Sequence, residues 1–227
     1  MGGGSSRIYP KRTADYLAEA RTGDIVLFSS DNFEIKFFTG SPFTHIGVII
    51  RDDDFAAGVE KPSRFALASR DTPVYILHSM NAGRNPRDLL SGKKSKEGPQ
   101  LQRLEKALKS WGHNTICVRQ IRFAGPDLFE GRGEEMLEFA RGMDKKPYEK
   151  SLFEMFAATA AFIENEEDLS SVFCSELVAE FFKRFKVMRT KEPSNEFVPA
   201  SFTPSHEEDL KLRRGVSFSR RIYELTT

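Results

Sequence analysis

Two residues of the sequence have the types and the settings that thiol chemistry requires. Cys174 stands near the start of a run whose apolar residues fall on one face of a helix, and Ser171 before it is a suitable N-cap. A thiol in the first turn of a helix lies near unpaired backbone N–H groups and the positive end of the helix dipole, which favour the thiolate. We therefore expect Cys174 to be a nucleophile whose own backbone N–H binds the developing oxyanion. The alternative is a small buried residue of the core.

A nucleophilic cysteine needs a base, and His45 is the candidate. It begins the apolar run 45–50, which is rich in β-branched residues and predicts a strand. A strand is a rigid support that could hold an imidazole against the end of a helix. Nothing in the sequence itself brings the two residues together, and a histidine on a strand is often only a structural hydrogen-bonding group.

The cysteine count limits the other chemistry that a thiol could do. The chain has two cysteines, Cys117 and Cys174, too few for a disulfide framework and without the paired spacing of a structural zinc site. Cys117 alternates within an apolar run and is expected in the core. A Cys-x-x-Cys pair is absent, so a thiol redox protein is disfavoured. We expect a reducing compartment and no metal or organic cofactor.

Charge and hydropathy limit the kinds of partner that the protein could bind. Lys and Arg number 34 against 33 Asp and Glu, so the net charge of +1 creates no global field that would attract nucleic acid. No apolar run reaches the roughly 18 to 20 residues of a membrane span, and the N-terminus lacks the hydrophobic core of a secretory signal. We expect a cytoplasmic protein, a monomer or weak dimer, without a nucleic-acid partner.

The N-terminus carries a lipidation pattern. Met1 and Gly2 followed by Ser6 fit the signal for N-myristoylation of Gly2. Residues 1–12 are predicted to be a flexible tail that could hold the protein on a membrane reversibly through one acyl chain and a few basic residues. The alternative is a glycine and serine tail that carries no lipid.

Hydrophobic periodicity predicts both short strands and helices along the chain, which fits an α+β protein. A glycine- and lysine-rich loop is expected over 81–100, and the apolar segment 152–163 is expected to be a buried or substrate-lining helix. The predicted strands are 24–28, 45–50, 74–78, 115–123 and 216–223, and the predicted helices are 13–21, 101–110, 134–143 and 173–182.

Three strings of the sequence together resemble one family. They are TGDIVL at 22–27, FTHIGV at 43–48 and FCSELV at 173–178, and they resemble the circularly permuted NlpC-type papain-like family typified by the YiiX and YaeF proteins. In that family, as here, the histidine strand precedes the cysteine helix. The resemblance covers about residues 22–204. It implies a single permuted papain-like domain over 13–227, with an antiparallel β-sheet or small barrel packed against the helix that carries the cysteine.

The resemblance also implies a set of site residues. It makes Cys174 the nucleophile, His45 the base, and a polar residue on the next strand the group that orients the imidazole. His78 occupies that third place. Bacterial relatives often have glutamate there, whereas the lecithin:retinol acyltransferase-like relatives have a second histidine. Ser79 and Asn81 are alternatives for the third role, and His78 could simply end a strand.

Tyr148 is the remaining residue that the resemblance singles out. It lies in the string KPYE at 146–149, which matches a Pro-Tyr motif shortly before the cysteine of the family. Its hydroxyl is expected to bind the oxyanion or position the substrate. The alternative is a tyrosine that packs a turn.

The expected activity is that of a cysteine hydrolase or acyltransferase acting on an amide, ester or thioester through an acyl-enzyme on Cys174. Twenty phenylalanines against five tyrosines and one tryptophan supply core volume and could line an apolar groove. The apolar 152–163 segment and a possible myristoyl group on Gly2 favour an acyl chain or lipidated substrate, and a peptide substrate stays an alternative. The alternative is a non-catalytic peptide- or lipid-binding protein on the same fold, which would not need a reactive thiol.

Overall fold

The computed structural model of the protein describes residues 7–29, 41–59, 72–80, 86–94, 96–112, 115–145 and 170–226. Gly2, Asn81, Tyr148 and the segment 152–163 lie outside the described residues. The predictions made for them therefore stay predictions.

The described ranges contain nine strands, five α-helices and three short 3₁₀ segments. The strands are β1 (Ile8–Arg12), β2 (Ile25–Ser29), β3 (Phe43–Ile50), β4 (Tyr75–Met80), β5 (Gly98–Arg103), β6 (Ile116–Arg119), β7 (Ile121–Phe123), β8 (Val216–Phe218) and β9 (Ile222–Thr226). The helices are α1 (Thr13–Glu19), α2 (Asp53–Val59), α3 (Leu104–Ser110), α4 (Gly133–Lys145) and α5 (Ser170–Arg184), and the 3₁₀ segments are Ser194–Glu196, Pro199–Phe202 and Pro204–Leu210.

Seven strands form one sheet in the order β1-β9-β6-β2-β3-β4-β5. Its neighbouring strands are antiparallel except β1 and β9, which are parallel. Strands β7 and β8 form a separate two-stranded sheet. The mostly antiparallel sheet with its helices confirms the predicted α+β class.

Several predicted boundaries are wrong. The flexible tail predicted over 1–12 does not extend over its last five residues, because Ile8–Arg12 pairs with Ile222–Thr226. The helix predicted over 101–110 begins at Leu104, because the preceding residues continue β5 and pair with β4. The single strands predicted over 115–123 and 216–223 are each divided between the two sheets.

The division of these strands has a local cause. Where the chain passes from one sheet to the other, the backbone N–H of Ser219 donates to the Gln120 carbonyl at 2.7 Å. The buried guanidinium of Arg119 donates to the Ser219 carbonyl at 2.8 Å. These bonds replace the sheet ladder at the two crossing points, so that buried backbone groups keep their partners.

Side-chain alternation along the strands gives the large sheet two apolar faces. Along β2, Ile25 and Leu27 belong to the core cluster that includes Cys174 and the other buried apolar residues described on α5. Val26 and Phe28 point the other way, into a smaller cluster with residues of α1 and α3. The functional residues described below lie on both faces.

An aromatic cluster joins helix α5 to α4 and to the segment that precedes α4. Phe181 lies 4.7 Å from Phe185 and 5.6 Å from Phe129 between ring centroids, and Phe139 contacts Phe181 at 5.5 Å. Truncating one such buried ring typically costs about 3 to 5 kcal/mol. Many of the phenylalanines counted in the sequence therefore pack in the hydrophobic core.

A buried carboxylate joins the start of the sheet to its surroundings. Asp24 accepts hydrogen bonds from the backbone N–H of Ile121 at 2.9 Å, from that of Arg21 at 3.1 Å, and from the Tyr16 hydroxyl at 3.3 Å. Burial raises the pKa of Asp24 from 3.8 to about 7, although these donors act in the opposite direction. The carboxyl group is a structural hydrogen-bonding group.

We predict that Asp24 makes stability fall as pH rises. The folded state holds a proton on this carboxyl up to about pH 7, whereas the unfolded chain releases it near pH 4, so the free energy of unfolding decreases across that window by at most about 1.4 kcal/mol per pH unit. Asp24→Asn cannot titrate. Urea unfolding of both proteins should therefore show their difference in stability changing by about 2 kcal/mol between about pH 5 and 7. An unchanged difference would show that Asp24 is ionised throughout.

Candidate functional site

His45 is held on β3 by a stack of aromatic rings. Its side chain is 3% exposed. The imidazole stacks on Trp111 with ring centroids 5.0 Å apart and planes at 16°, and Phe28 on the neighbouring strand lies 5.2 Å away. Phe28 and Trp111 also contact each other, with ring centroids 4.4 Å apart, so the three rings pack as one cluster that restricts the orientation of the imidazole.

The predicted partnership of His45 and His78 is present. His45 Nε2 lies 3.1 Å from His78 Nδ1, a hydrogen bond between adjacent antiparallel strands. Gly47 is directly opposite His78 in the register, and a Cβ there would lie 3.0 Å from the His78 Cβ and 2.6 Å from Ile76 Cδ1. The glycine in this strand therefore allows β4 and its histidine to approach β3 closely.

Both imidazoles are neutral at physiological pH. Burial lowers the pKa of His45 well below 6.5, and the proximity of His78 lowers it further. Burial lowers the pKa of His78 to about 4, although Gln102 and Asp88 act to raise it. A neutral imidazole has one N–H donor and one acceptor nitrogen, so the bond between them depends on which nitrogens carry the protons.

The surroundings of Gln102 indicate how those protons are arranged. The Gln102 amide donates through Nε2 to the Gln100 Oε1 at 2.9 Å and to the Pro86 carbonyl at 3.3 Å, and Gln100 in turn donates to the Lys96 carbonyl. These bonds fix which end of the Gln102 amide is oxygen. That oxygen acts on His78 as an acceptor and raises its pKa.

Two buried atoms without a good hydrogen-bond partner among the described residues, one on His78 and one on Gln102, indicate that these side chains are paired. His78 Nε2 and Gln102 Oε1 are both buried, and within the described part of the chain neither has a partner with good hydrogen-bond geometry. Donation from His78 Nε2–H to Gln102 Oε1 would satisfy both atoms. His78 Nδ1 is then the acceptor, His45 Nε2 carries a proton, and His45 Nδ1 is the unprotonated nitrogen.

Cys174 is on α5 as predicted, but two expectations about it are wrong. It is the fifth residue of the helix, so its backbone N–H bonds within the helix and is not a free oxyanion donor. The side chain is fully buried, and burial raises the pKa of its thiol to about 12. Donation from the backbone N–H groups of Ile46, Ser175 and Cys174 itself favours the thiolate but does not outweigh burial.

The hydrogen bond from the Ile46 backbone N–H shows where the Cys174 sulfur lies relative to His45. That N–H belongs to the peptide that joins His45 to Ile46, so the Cys174 sulfur lies against the backbone of the histidine strand. Cys174 packs in the cluster on the α5 face of the sheet, whereas the ring of His45 lies on the other face with Phe28 and Trp111. The two groups thus approach the same peptide from opposite sides.

Other candidate residues have structural settings. Cys117 is buried on β6 as predicted, and burial raises its pKa to about 12. Ser79, an alternative for the third role, is buried on β4 beside His78, but the hydrogen bond to His45 comes from His78. Among the residues described, no three His, Cys, Asp or Glu side chains are grouped closely enough to bind a metal ion.

Three residues of the site were not found by sequence reasoning. Trp111 follows the predicted helix 101–110 and has no role in the sequence analysis, Gln102 falls within that predicted helix, and Gly47 occurs only within the string FTHIGV. A glycine inside an apolar strand is a signal of close backbone approach, and it could have drawn attention to the strand beside it. Gln102 offered no comparable signal, since its role depends on β5 pairing with β4.

Comparisons with known proteins add no family assignment. The sequence matches no protein-family model and shows no significant similarity to a curated protein. In the described ranges, no helix is long and apolar enough to cross a membrane.

We predict that Gln102 controls the proton arrangement of the two histidines. Gln102→Leu removes the acceptor for His78 and should lower the rate of acylation of Cys174 by an activated ester about tenfold, the value of one hydrogen bond. Gln102→Glu places a carboxylate beside His78 and raises its pKa, so the acid limb of the pH–rate profile should move to higher pH. A Gln102→Leu protein with the rate and pH profile of the unmodified protein would refute this arrangement.

Proposed function

We propose that the protein is a cysteine-dependent hydrolase or acyltransferase of permuted papain-like architecture, in which Cys174 forms an acyl-enzyme and His45 is its base. The observation that carries the proposal is the 3.1 Å bond from His45 Nε2 to His78 Nδ1, together with the Cys174 sulfur at the peptide that follows His45. Because Nε2 is engaged by His78, Nδ1 is the nitrogen left for the thiol. The imidazole and the sulfur lie on opposite faces of the sheet, so the proposal requires a rearrangement of the peptide between His45 and Ile46 that brings Nδ1 to the sulfur. The order of histidine strand and cysteine helix adds support through the family resemblance.

The pKa shifts favour general-base catalysis over a resting ion pair. A buried thiol with a pKa of about 12 and a neutral imidazole hold no charge before the substrate binds. As the sulfur attacks the carbonyl carbon, the thiol proton passes to His45 Nδ1, and the bond from Nε2 to His78 keeps the imidazolium oriented. The tetrahedral intermediate then breaks its bond to the leaving group, which takes the proton from His45.

Deacylation reverses the same proton path. Water, or an acceptor hydroxyl or amine, gives a proton to His45 as it attacks the thioester of Cys174, and the thiol regains a proton as the acyl product leaves. Tyr148 stays the proposed side-chain donor to the oxyanion, since the N–H of Cys174 is used within the helix.

The character of the site favours an uncharged acyl group as substrate. Trp111 and Phe28 pack against His45, and both imidazoles are neutral, so a charged group would lose its hydration without gaining a partner. An ester, thioester or amide of a fatty acid fits this setting. With Cys174 0% exposed, the substrate reaches the sulfur only when neighbouring residues move.

A second candidate is a non-catalytic peptide- or lipid-binding protein. The complete burial of Cys174 and its raised pKa favour this function, because both properties are those of an inert core thiol. The two functions differ in whether a covalent intermediate can form.

We predict that an activated ester acylates Cys174. Incubation with p-nitrophenyl octanoate should give one acyl group per chain, which intact-mass and peptide mapping would locate on Cys174. Cys174→Ala should abolish the adduct, and His45→Ala should slow its formation by about 10² to 10⁴, the usual contribution of a general base.

The matched control is Cys117→Ala, which removes the other buried thiol and should leave acylation unchanged. If the protein stays folded by circular dichroism but forms no adduct, or forms it equally in His45→Ala, the binding function is the correct one.

A further inference from the structure

An open groove of about 1460 Å³ is lined by residues other than those of the proposed site. It is bordered by the residues before and within β1, by β7, β8 and the turn into β9, and by the 3₁₀ segment Pro204–Leu210. Five exposed cationic side chains from separate segments line it: Arg7, Arg122, Lys211, Arg220 and Arg221. We call this surface the basic groove.

The basic groove holds an excess of positive charge that its own acids do not balance. Glu207 lines it too, but its carboxylate binds the guanidinium of buried Arg119 and accepts the backbone N–H of Phe218. Glu208 is then the acidic side chain of the groove that remains to offset the charge of the five cations. Within the described ranges, none of the five lies at ion-pair distance from a carboxylate. Such a surface attracts anions.

The floor of the basic groove is rigid. Arg119 is fully buried and donates to the Ser219 carbonyl at 2.8 Å and to the Phe202 carbonyl at 2.9 Å. The guanidinium of Arg221 lies over the ring of Tyr9, 5.2 Å from its centroid. Segments near both ends of the described sequence therefore hold these cationic side chains, on a backbone that buried hydrogen bonds fix in place.

The aromatic rings of the basic groove disfavour single-stranded nucleic acid as its partner. Nucleic-acid grooves combine basic side chains with free aromatic faces on which bases stack. Here Arg221 covers Tyr9, while Phe218 is buried with Arg119 5.2 Å from its ring centroid. The groove offers charge without a stacking surface.

We propose that the basic groove docks the protein on a membrane surface rich in anionic phospholipids. Cations spread over a wide, open groove match an array of negatively charged headgroups better than one small anion, and each Lys or Arg near such a surface strengthens binding about fivefold. Residues 1–6 directly precede Arg7, so an acyl group on Gly2 would enter the membrane that the groove contacts. Docking by charge does not require that group.

The basic groove can be altered without changing the proposed active site. It includes none of Cys174, His45 or His78. In the sheet order, β6 and β2 separate β9 from β3, which corresponds to about 14 Å at the usual strand spacing. Membrane binding and acylation of Cys174 are therefore separate measurements.

The test is co-sedimentation of the full, non-acylated chain with vesicles of phosphatidylcholine alone or with about 30% phosphatidylserine, at about 0.1 M salt. The unmodified protein should bind the phosphatidylserine vesicles and lose binding as the salt concentration rises. The triple variant Arg122→Ala, Lys211→Ala, Arg220→Ala should bind about 100-fold more weakly, at about fivefold for each side chain.

The matched control removes three charges elsewhere, with Lys93→Ala, Lys94→Ala and Lys109→Ala, all exposed positions. It should change binding by less than about threefold. The proposal is overturned if the two triple variants lose binding equally, if phosphatidylserine has no effect, or if an oligonucleotide binds while vesicles do not. Circular dichroism and thermal unfolding verify that each variant is folded.

Discussion

A hydrogen bond between two buried imidazoles constrains the structure around it. His45 and His78 meet at 3.1 Å because β3 and β4 are adjacent, and the strands approach closely because Gly47 has no side chain opposite His78. Trp111 covers the ring of His45, and Gln102 lies beside His78 from the next strand. Each of these residues affects the orientation or the proton of His45, and His45 adjoins the peptide that contacts Cys174.

Burial determines what chemistry this arrangement can do. In an exposed site a cysteine beside a histidine can rest as thiolate and imidazolium, but removal from water disfavours both charges. Here the thiol pKa rises to about 12 and both histidine pKa values fall, so the resting groups are neutral. In the proposed reaction, proton transfer would then accompany bond formation. A neutral site also explains why the chain can keep these polar side chains in its core, since neutral hydrogen-bonded groups cost far less to bury than ions.

The sequence predicted the parts of this site that depend on local pattern. The strand of His45, the helix of Cys174 and the place of His78 follow from apolar periodicity and from short strings, and the structure has them. Gln102 was missed because the boundary of α3 was placed three residues early, which put a β5 residue in a helix. The ionisation of Cys174 was wrongly predicted because burial comes from tertiary packing of α5 on the sheet, which no local pattern encodes.

The central claim is that His45 activates one of two otherwise similar thiols, and the chain supplies its own control. Cys174 and Cys117 are both fully buried, and burial raises the pKa of each to about 12. The direct measurement is the rate of alkylation of each thiol by iodoacetamide near neutral pH, resolved by peptide mass spectrometry, in the unmodified protein and in His45→Ala. The account predicts that Cys174 reacts at least about tenfold faster than Cys117 and that His45→Ala removes the difference. Equal rates for the two thiols, or a Cys174 rate indifferent to His45, would contradict it.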